Sequence, residues 1–403
     1  MKTSNPLQAG FTRRESLIAL FGAVAGLSAC GGGGDDVAGV GLGGTGAFSV
    51  GPITGFGSII VNGIRYDDSS ASISSDDSAF RREDFQLGMV VVVQGSPAVN
   101  GLSTATRIVL GGELQGPVST VRADGFVVLG QTVEVTSSTF FGPSLANGLA
   151  SVTPGVVVEV HGVANPATNS IRATYVERKT SPSEYKIQGI VSAHNATSKT
   201  LSIGTLNMSY SATDPDDVRV TPTVGALVRV RLLAGPANTA VWTVERIRKP
   251  EDSFSGFSGE VEFTGNVTAF TSLSSFSVND IPVNAASASF PEGTAGITAG
   301  ALVEVKGNLV DGVLLASRVK PEDNSGINEF ELHGTVSNAI PSGSGGSFTL
   351  TSSGGVAVAV DWSSGVTFRD GTSADLSNGR RVEVRGLVSG GNRVTATRIS
   401  FES

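Results

Sequence analysis

The chain has 403 residues and a formal charge of −8, with 53 glycines and only 16% charged residues. An acidic surface repels a phosphate backbone, which argues against nucleic acid as a partner, and a single cysteine excludes any disulfide within one molecule. Val, Ile, Thr and Ser are abundant and no long stretch past residue 30 carries helical periodicity, so the composition predicts an all-β protein rich in turns.

Residues 1–29 read as an address rather than a folded element. Arg13 and Arg14 precede an apolar run from Leu17 to Leu27. That run is about half the ~20 residues needed to span a membrane, which suits the core of a signal peptide. Its end, Leu27-Ser28-Ala29-Cys30, resembles a bacterial lipobox, which implies cleavage before Cys30 and acylation of its thiol. Thr12-Arg13-Arg14-Glu15-Ser16-Leu17 resembles a twin-arginine export signal, with Ser16 where an aromatic or large apolar residue is usual. That route and general secretion both stay open. In a two-membrane host, Gly31 after the cysteine, in place of the aspartate associated with inner-membrane retention, implies the outer membrane.

Residues 30–46 follow as a glycine-rich tether, too poor in apolar side chains to order itself. It contains two overlapping Gly-x-Gly-x-x-Gly matches, at Gly39, Gly41, Gly44 and at Gly41, Gly43, Gly46. A dinucleotide-binding turn needs a strand before it and a helix after it. Both are missing, so the segment reads as a linker.

The rest of the chain is organised by one pattern, Gly-x-x-Val-x-Val-x-Gly, which opens at Gly88, Gly155, Gly225, Gly300 and Gly379. The third copy closes on Leu232 instead of glycine. Alternation at period two places both valines on one strand face. The slot before the closing residue is Gln94, His161, Arg231, Lys306 or Arg385, polar in every copy. That predicts a strand with one face in a core and the other in water. The flanking glycines suit positions of positive φ or a bulge. Upstream of each copy lies Gly-x-[Val/Ile]-[Ser/Thr], as at Gly116 to Ser119, and downstream a closing strand such as Ala105 to Ile108 or Ala396 to Ile399.

A few short strands in a module of about 70 residues avoid bare edges only by curling shut. The expected fold is therefore five tandem small β-barrels of oligonucleotide/oligosaccharide-binding (OB) type, with an SH3-like barrel second and a β-sandwich third. Expected boundaries are 47–112, 113–182, 183–252, 253–327 and 328–403. A module this small buries only about 60% of its unfolded surface, so each gains from its neighbour. The order suggests an elongated rod on a flexible leash.

The lipobox, the tether, the run Gly51-Pro-Ile-Thr-Gly-Phe-Gly-Ser-Ile-Ile-Val-Asn-Gly63 and the repeated Leu87-Gly-Met-Val-Val-Val-Val-Gln-Gly95 resemble a group of bacterial lipoproteins. That group is catalogued only as a domain of unknown function in tandem copies. The resemblance covers residues 47–403, is closest over 51–110, and is weakest in the third module. It implies a fold and a location, and carries no catalytic or binding residues with it.

Candidate sites are sparse. His161 and His333 sit in slots expected to be solvated, and no two of His161, His194 and His333 have metal-ligand spacing. Asp67-Asp68, Asp76-Asp77 and Asp214-Pro-Asp216-Asp217 match no calcium loop and read as solvated carboxylates. Trp242 falls in a slot expected to face a core, whereas Trp362 and Tyr66 lie nearer loops and are the candidates for ligand stacking. No nucleophile elbow, phosphate loop or zinc-protease motif is present. The expectation is a non-catalytic, cofactor-free protein without a metal, anchored to the cell envelope through Cys30. Its expected role is spacer or protein-interaction scaffold, the alternative being a glycan- or small-ligand-binding lipoprotein that uses exposed barrel faces.

Overall fold

The ten valines of the repeated pattern are Val91, Val93, Val158, Val160, Val228, Val230, Val303, Val305, Val382 and Val384, and each has no measurable exposure. They are the inner walls of an all-β fold. The computed structural model describes residues 47–75, 80–112, 114–165, 170–249, 259–279, 281–322, 329–342, 344–353, 355–389 and 393–402. Among these, the elements are strands and short 3-10 helices.

The strands, in chain order, are β1 (Phe48–Phe56), β2 (Ile59–Val61), β3 (Ile64–Asp67), β4 (Ser72–Ser75), β5 (Val90–Gly95) and β6 (Leu102–Leu110). Then come β7 (Leu114–Arg122), β8 (Gly125–Val128), β9 (Gln131–Glu134), β10 (Phe140–Phe141), β11 (Val157–Asn165) and β12 (Ser170–Arg178). The next group is β13 (Glu184–Asn195), β14 (Thr200–Ile203), β15 (Leu206–Ser209), β16 (Leu227–Leu233) and β17 (Trp242–Arg248). It is followed by β18 (Gly259–Ser272), β19 (Ser275–Val278), β20 (Ile281–Asn284), β21 (Leu302–Val310) and β22 (Val313–Pro321). The last are β23 (Glu329–Ser342), β24 (Gly345–Thr351), β25 (Ala357–Trp362), β26 (Thr367–Arg369), β27 (Arg381–Val388) and β28 (Arg393–Phe401).

One order of ladders runs through each group. In the fourth, β18 pairs antiparallel with β19, β19 with β20, β20 parallel with β22, β22 antiparallel with β21, and β21 back with β18, closing a barrel. The same circuit runs β1-β2-β3-β6-β5-β1 and β7-β8-β9-β12-β11-β7. It recurs as β13-β14-β15-β17-β16-β13 and β23-β24-β25-β28-β27-β23.

The glycines explain the local geometry. The opening glycine has φ of +84, +86, +88, +83 and +87° at Gly88, Gly155, Gly225, Gly300 and Gly379, a conformation that costs an L side chain strain. The closing position is a β-bulge against the last strand in every circuit. At Gly307 an added Cβ would lie 2.2 Å from the Leu315 carbonyl oxygen. The third circuit keeps the bulge with Leu232, whose side chain is fully buried.

The circuits do not form a string of nearest neighbours, which corrects the expected rod. β1 pairs in parallel with β23 through Gly55↔Glu331 and Phe56↔Leu332, so the last circuit returns to the first. Gly55 permits this approach, since a Cβ there would sit 2.1 Å from the Glu331 carbonyl oxygen. β7 pairs with β13 through Gln115↔Lys186 and Leu114↔Ile187, and β1 and β11 both pack on β18. Residues 261–268 of β18 are consequently buried on both faces. The apolar side chains follow suit. One core joins the first and last circuits and takes in Phe140 of the second, which meets Phe330 edge-on at 4.9 Å. A second core joins the second and third circuits, and a third holds the fourth together with Phe48 and Val50 of the first.

Candidate functional site

Many outward slots of the repeated strands, expected to face water, are buried and ionisable, as at Glu159, Lys186, Arg229, Glu262 and Glu304. Alternation puts five side chains of each circuit on one outer face. They are the residues three and one before the upstream glycine, the two variable residues flanking the second pattern valine, and one on the closing strand. In the last circuit these are Glu331, His333, Glu383, Arg385 and Arg398. His333 is 8% exposed rather than solvated. It is covered because β1 lies alongside β23 and brings Arg65 of β3 with it.

There Glu331 Oε1 accepts from Arg65 Nη2 at 2.8 Å and from His333 Nε2 at 3.0 Å, while Oε2 faces Arg385 Nη2 at 2.8 Å. Glu383 Oε1 accepts from Arg385 Nε at 3.0 Å and Arg398 Nη2 at 2.9 Å. His333 Nδ1 donates to Glu402, which also pairs with Arg381 at 3.4 Å. Burial works against charge on the imidazole, but the hydrogen bonds to Glu331 and Glu402 outweigh it and hold the His333 pKa above its ordinary value. Burial likewise opposes charge on Glu331, yet His333 and the flanking guanidiniums bring its pKa down to about 2.

Ligand-type atoms of Glu331, His333 and Glu383 lie within 4.8 Å of one another. They do not fit a metal ion. The Glu331 and Glu383 oxygens already accept from guanidiniums, and a cation between them would face Arg65, Arg385 and Arg398. The arrangement is a clasp of alternating charge between the first and last circuits.

A second clasp joins the second and third circuits. Lys186 of β13, 2% exposed along its side chain, reaches Glu159 Oε1 of β11 at 3.4 Å. Lys179 lies 2.6 Å from both Glu159 Oε2 and Glu177 Oε1. Burial raises the Glu159 pKa and its cationic neighbours more than reverse that, leaving it below the ordinary value. Arg229 Nη2 donates to the Gly112 carbonyl at 2.9 Å and Gln115 Nε2 to that of Glu184 at 2.8 Å. His161, expected in water, has no exposed surface. Its Nδ1 donates to the Gly111 carbonyl at 3.1 Å, its ring lies 5.8 Å from that of Tyr175, and its Nε2 is buried without a partner among the described residues. Burial, only partly offset by Glu159 and Glu177, holds its pKa below the ordinary value. In the fourth circuit Arg318 Nη2 lies 2.6 Å from Glu304 Oε1 and also pairs with Glu262.

The aromatic candidates lie inside. Tyr66 has no exposed surface and its hydroxyl bonds Ser49 Oγ at 2.6 Å. Trp362 is 8% exposed and packs edge-on against Phe368 at 5.5 Å. Neither offers a free ring face, because the strand ends that looked loop-like in sequence are closed over by neighbouring strands. Trp242 is buried, as its slot required, against Tyr185 at 5.6 Å. His194 bonds the Tyr210 hydroxyl at 2.7 Å. Asp68 pairs with Arg82 at 3.0 Å, Asp214 caps a 3-10 helix and Asp217 pairs with Arg246 at 2.9 Å, which accounts for two acidic runs without calcium. Cys30, Arg13, Arg14 and Asp76-Asp77 lie outside the described residues.

Sequence reasoning missed the clasps because it assigned the polar face to water. The signal was present: opposite charges recur in face-sharing slots of different circuits, as in Glu159 and Lys186.

Among families, the model described as a domain of unknown function (DUF5666) matches residues 50–109, 115–177, 264–320 and 333–400. The matched segments cover more than half of the chain. The stretch containing Leu232 is outside them. No curated protein matches the chain.

Proposed function

We propose that this chain, which belongs to the DUF5666 family, is a non-catalytic, lipid-anchored cell-envelope protein built of five OB-like barrel modules and acting as a protein-interaction scaffold. The ladder order first-second-third-fifth-fourth-first, with the third and fifth strands parallel, supports the OB-like reading. The observation that carries the role is where the ionisable groups go. The buried carboxylates Glu159, Glu262 and Glu304 and the half-buried Glu331 are all paired to lysine or arginine within or between circuits, which commits these acids to holding strands and modules together. Apolar side chains stand out instead at two connections and near the end of β23, with Val99 70%, Val224 66% and Ile340 63% exposed, as contact points for protein partners.

Anchoring rests on the Leu-Ser-Ala-Cys30 motif, so Cys30→Ser should abolish fatty-acid labelling and release the protein from the membrane fraction. In-cell crosslinking from Val99 or Ile340 should capture specific envelope proteins. A folded, monodisperse protein that captures no envelope partner from either position would remove the scaffold reading.

A further inference from the structure

We infer that a cleft on the outer face of β18, β19 and β20 binds a neutral glycan. The inference is independent of the scaffold reading, since it needs no protein partner. Strand alternation turns Phe276, Val278, Ile281 and Val283 into the fourth barrel and leaves Ser275, Ser277, Pro282 and Asn284 outside, in the rows Ser275↔Asn284 and Ser277↔Pro282. With Thr271, these side chains line a cleft of about 380 Å³ whose apolar floor is Ala269, Ala286 and Val313. That volume lies within the ~300–1,000 Å³ usual for small-ligand sites.

Its chemistry is specific. Among the described residues no charged side chain lines it, and the hydroxyls of Thr271, Ser275 and Ser277 are committed to no hydrogen bond. Hydroxyl and amide groups over an apolar floor match a sugar, which presents hydroxyl edges and C–H faces. A charge-free lining favours a neutral sugar over an acidic one.

The equivalent rows of the other circuits are tied up. In the first, Arg65 is held by Glu331. In the second, Glu134 accepts from Ser170. In the third, Ser202 Oγ donates to Asn207 Oδ1 at 2.9 Å. In the fifth, Asp361 is paired with Arg393. The fourth barrel thus keeps uncommitted hydroxyls where the other circuits place an ion pair or an internal hydrogen bond.

The test is calorimetric titration of the full mature chain with cellotetraose, chitotetraose and maltotetraose, with tetragalacturonate as the acidic comparison. At least one neutral tetrasaccharide should bind. Ser277→Arg should weaken that binding by at least about tenfold, and Ser202→Arg, at the matching position of the third circuit, should leave it unchanged. Circular dichroism of both variants separates loss of the site from loss of the fold. Silence toward all three neutral sugars, tighter binding of tetragalacturonate, or equal effects of the two substitutions would each overturn the assignment.

Discussion

The first and last circuits carry opposite chemistry in the same slots of the same strand pattern. On the first, the outer face presents Phe48, Val50 and Val92, and these pack into the apolar core of the fourth barrel, with Phe48 edge-on to Phe263 at 6.4 Å. On the last, the matching slots hold Glu331, His333 and Glu383, closed over by Arg65, Arg385 and Arg398. Phe48, Val50 and His333 are buried, and Val92, Glu331 and Glu383 half-buried. Period-two alternation distinguishes two sides of a strand, and it does not say that water lies on the second. What covers the face decides whether the slot is dry and apolar or ion-paired.

The largest effects should come from breaking either kind of joint. Phe48→Ala removes a fully buried ring and should cost ~3–5 kcal/mol. Glu159→Ala strips the carboxylate that faces Lys186 and Lys179 and should cost a similar ~3–5 kcal/mol. Chemical denaturation of each variant measures both. A loss under ~1 kcal/mol at Glu159 would mean that the polar joint is wet.

A sharper version converts one joint into the other. Glu159→Met with Lys186→Met replaces the ion pair by apolar bulk, and buried pairs treated this way range from neutral to ~1–4 kcal/mol more stable. The double variant should recover most of the loss seen in Glu159→Ala. Failure to recover would show that the charges fix the register of β7 on β13 as well as its stability.

Much of the fold was legible in the residues. The valine pairs gave the inner wall, the opening glycines gave the positive φ, and the closing glycines gave the bulge, with Leu232 marking the divergent circuit. The joints were not legible, because they depend on contacts between residues as distant as Arg65 and Glu331, for which local periodicity carries no information. Tyr66 and Trp362 misled for the same reason. Short strands look like loop edges until their neighbours close over them.

The smallest effect expected is on pH dependence. His333 has a raised pKa in the folded protein, so its contribution is complete below the ordinary value of 6.5 and is lost as pH rises through the folded one. Glu331 is depressed to about 2, so its contribution is complete above the ordinary 4.5 and fades as pH falls toward 2. The clasp between the first and last circuits should therefore be tightest between the ordinary values, pH 4.5 and 6.5. The first circuit's joint with the fourth, built on Phe48, Val50 and Val92, has no titrating group among those three. Denaturant midpoints against pH should fall on the alkaline side for the native chain, and His333→Gln should flatten that limb. An unchanged alkaline limb in His333→Gln would assign it to another group.

The central claim is that the chain returns on itself, so that its first and last circuits touch. Arg65 and Glu331 meet at 2.8 Å although 266 residues separate them in sequence. In a Cys30→Ser background, the Arg65→Cys/Glu331→Cys double variant should be closed by a short bismaleimide into an intramolecular loop. The monomer should then run anomalously fast on a denaturing gel. Reaction that yields only singly modified chains or intermolecular dimers would contradict the account and restore the string of separate modules.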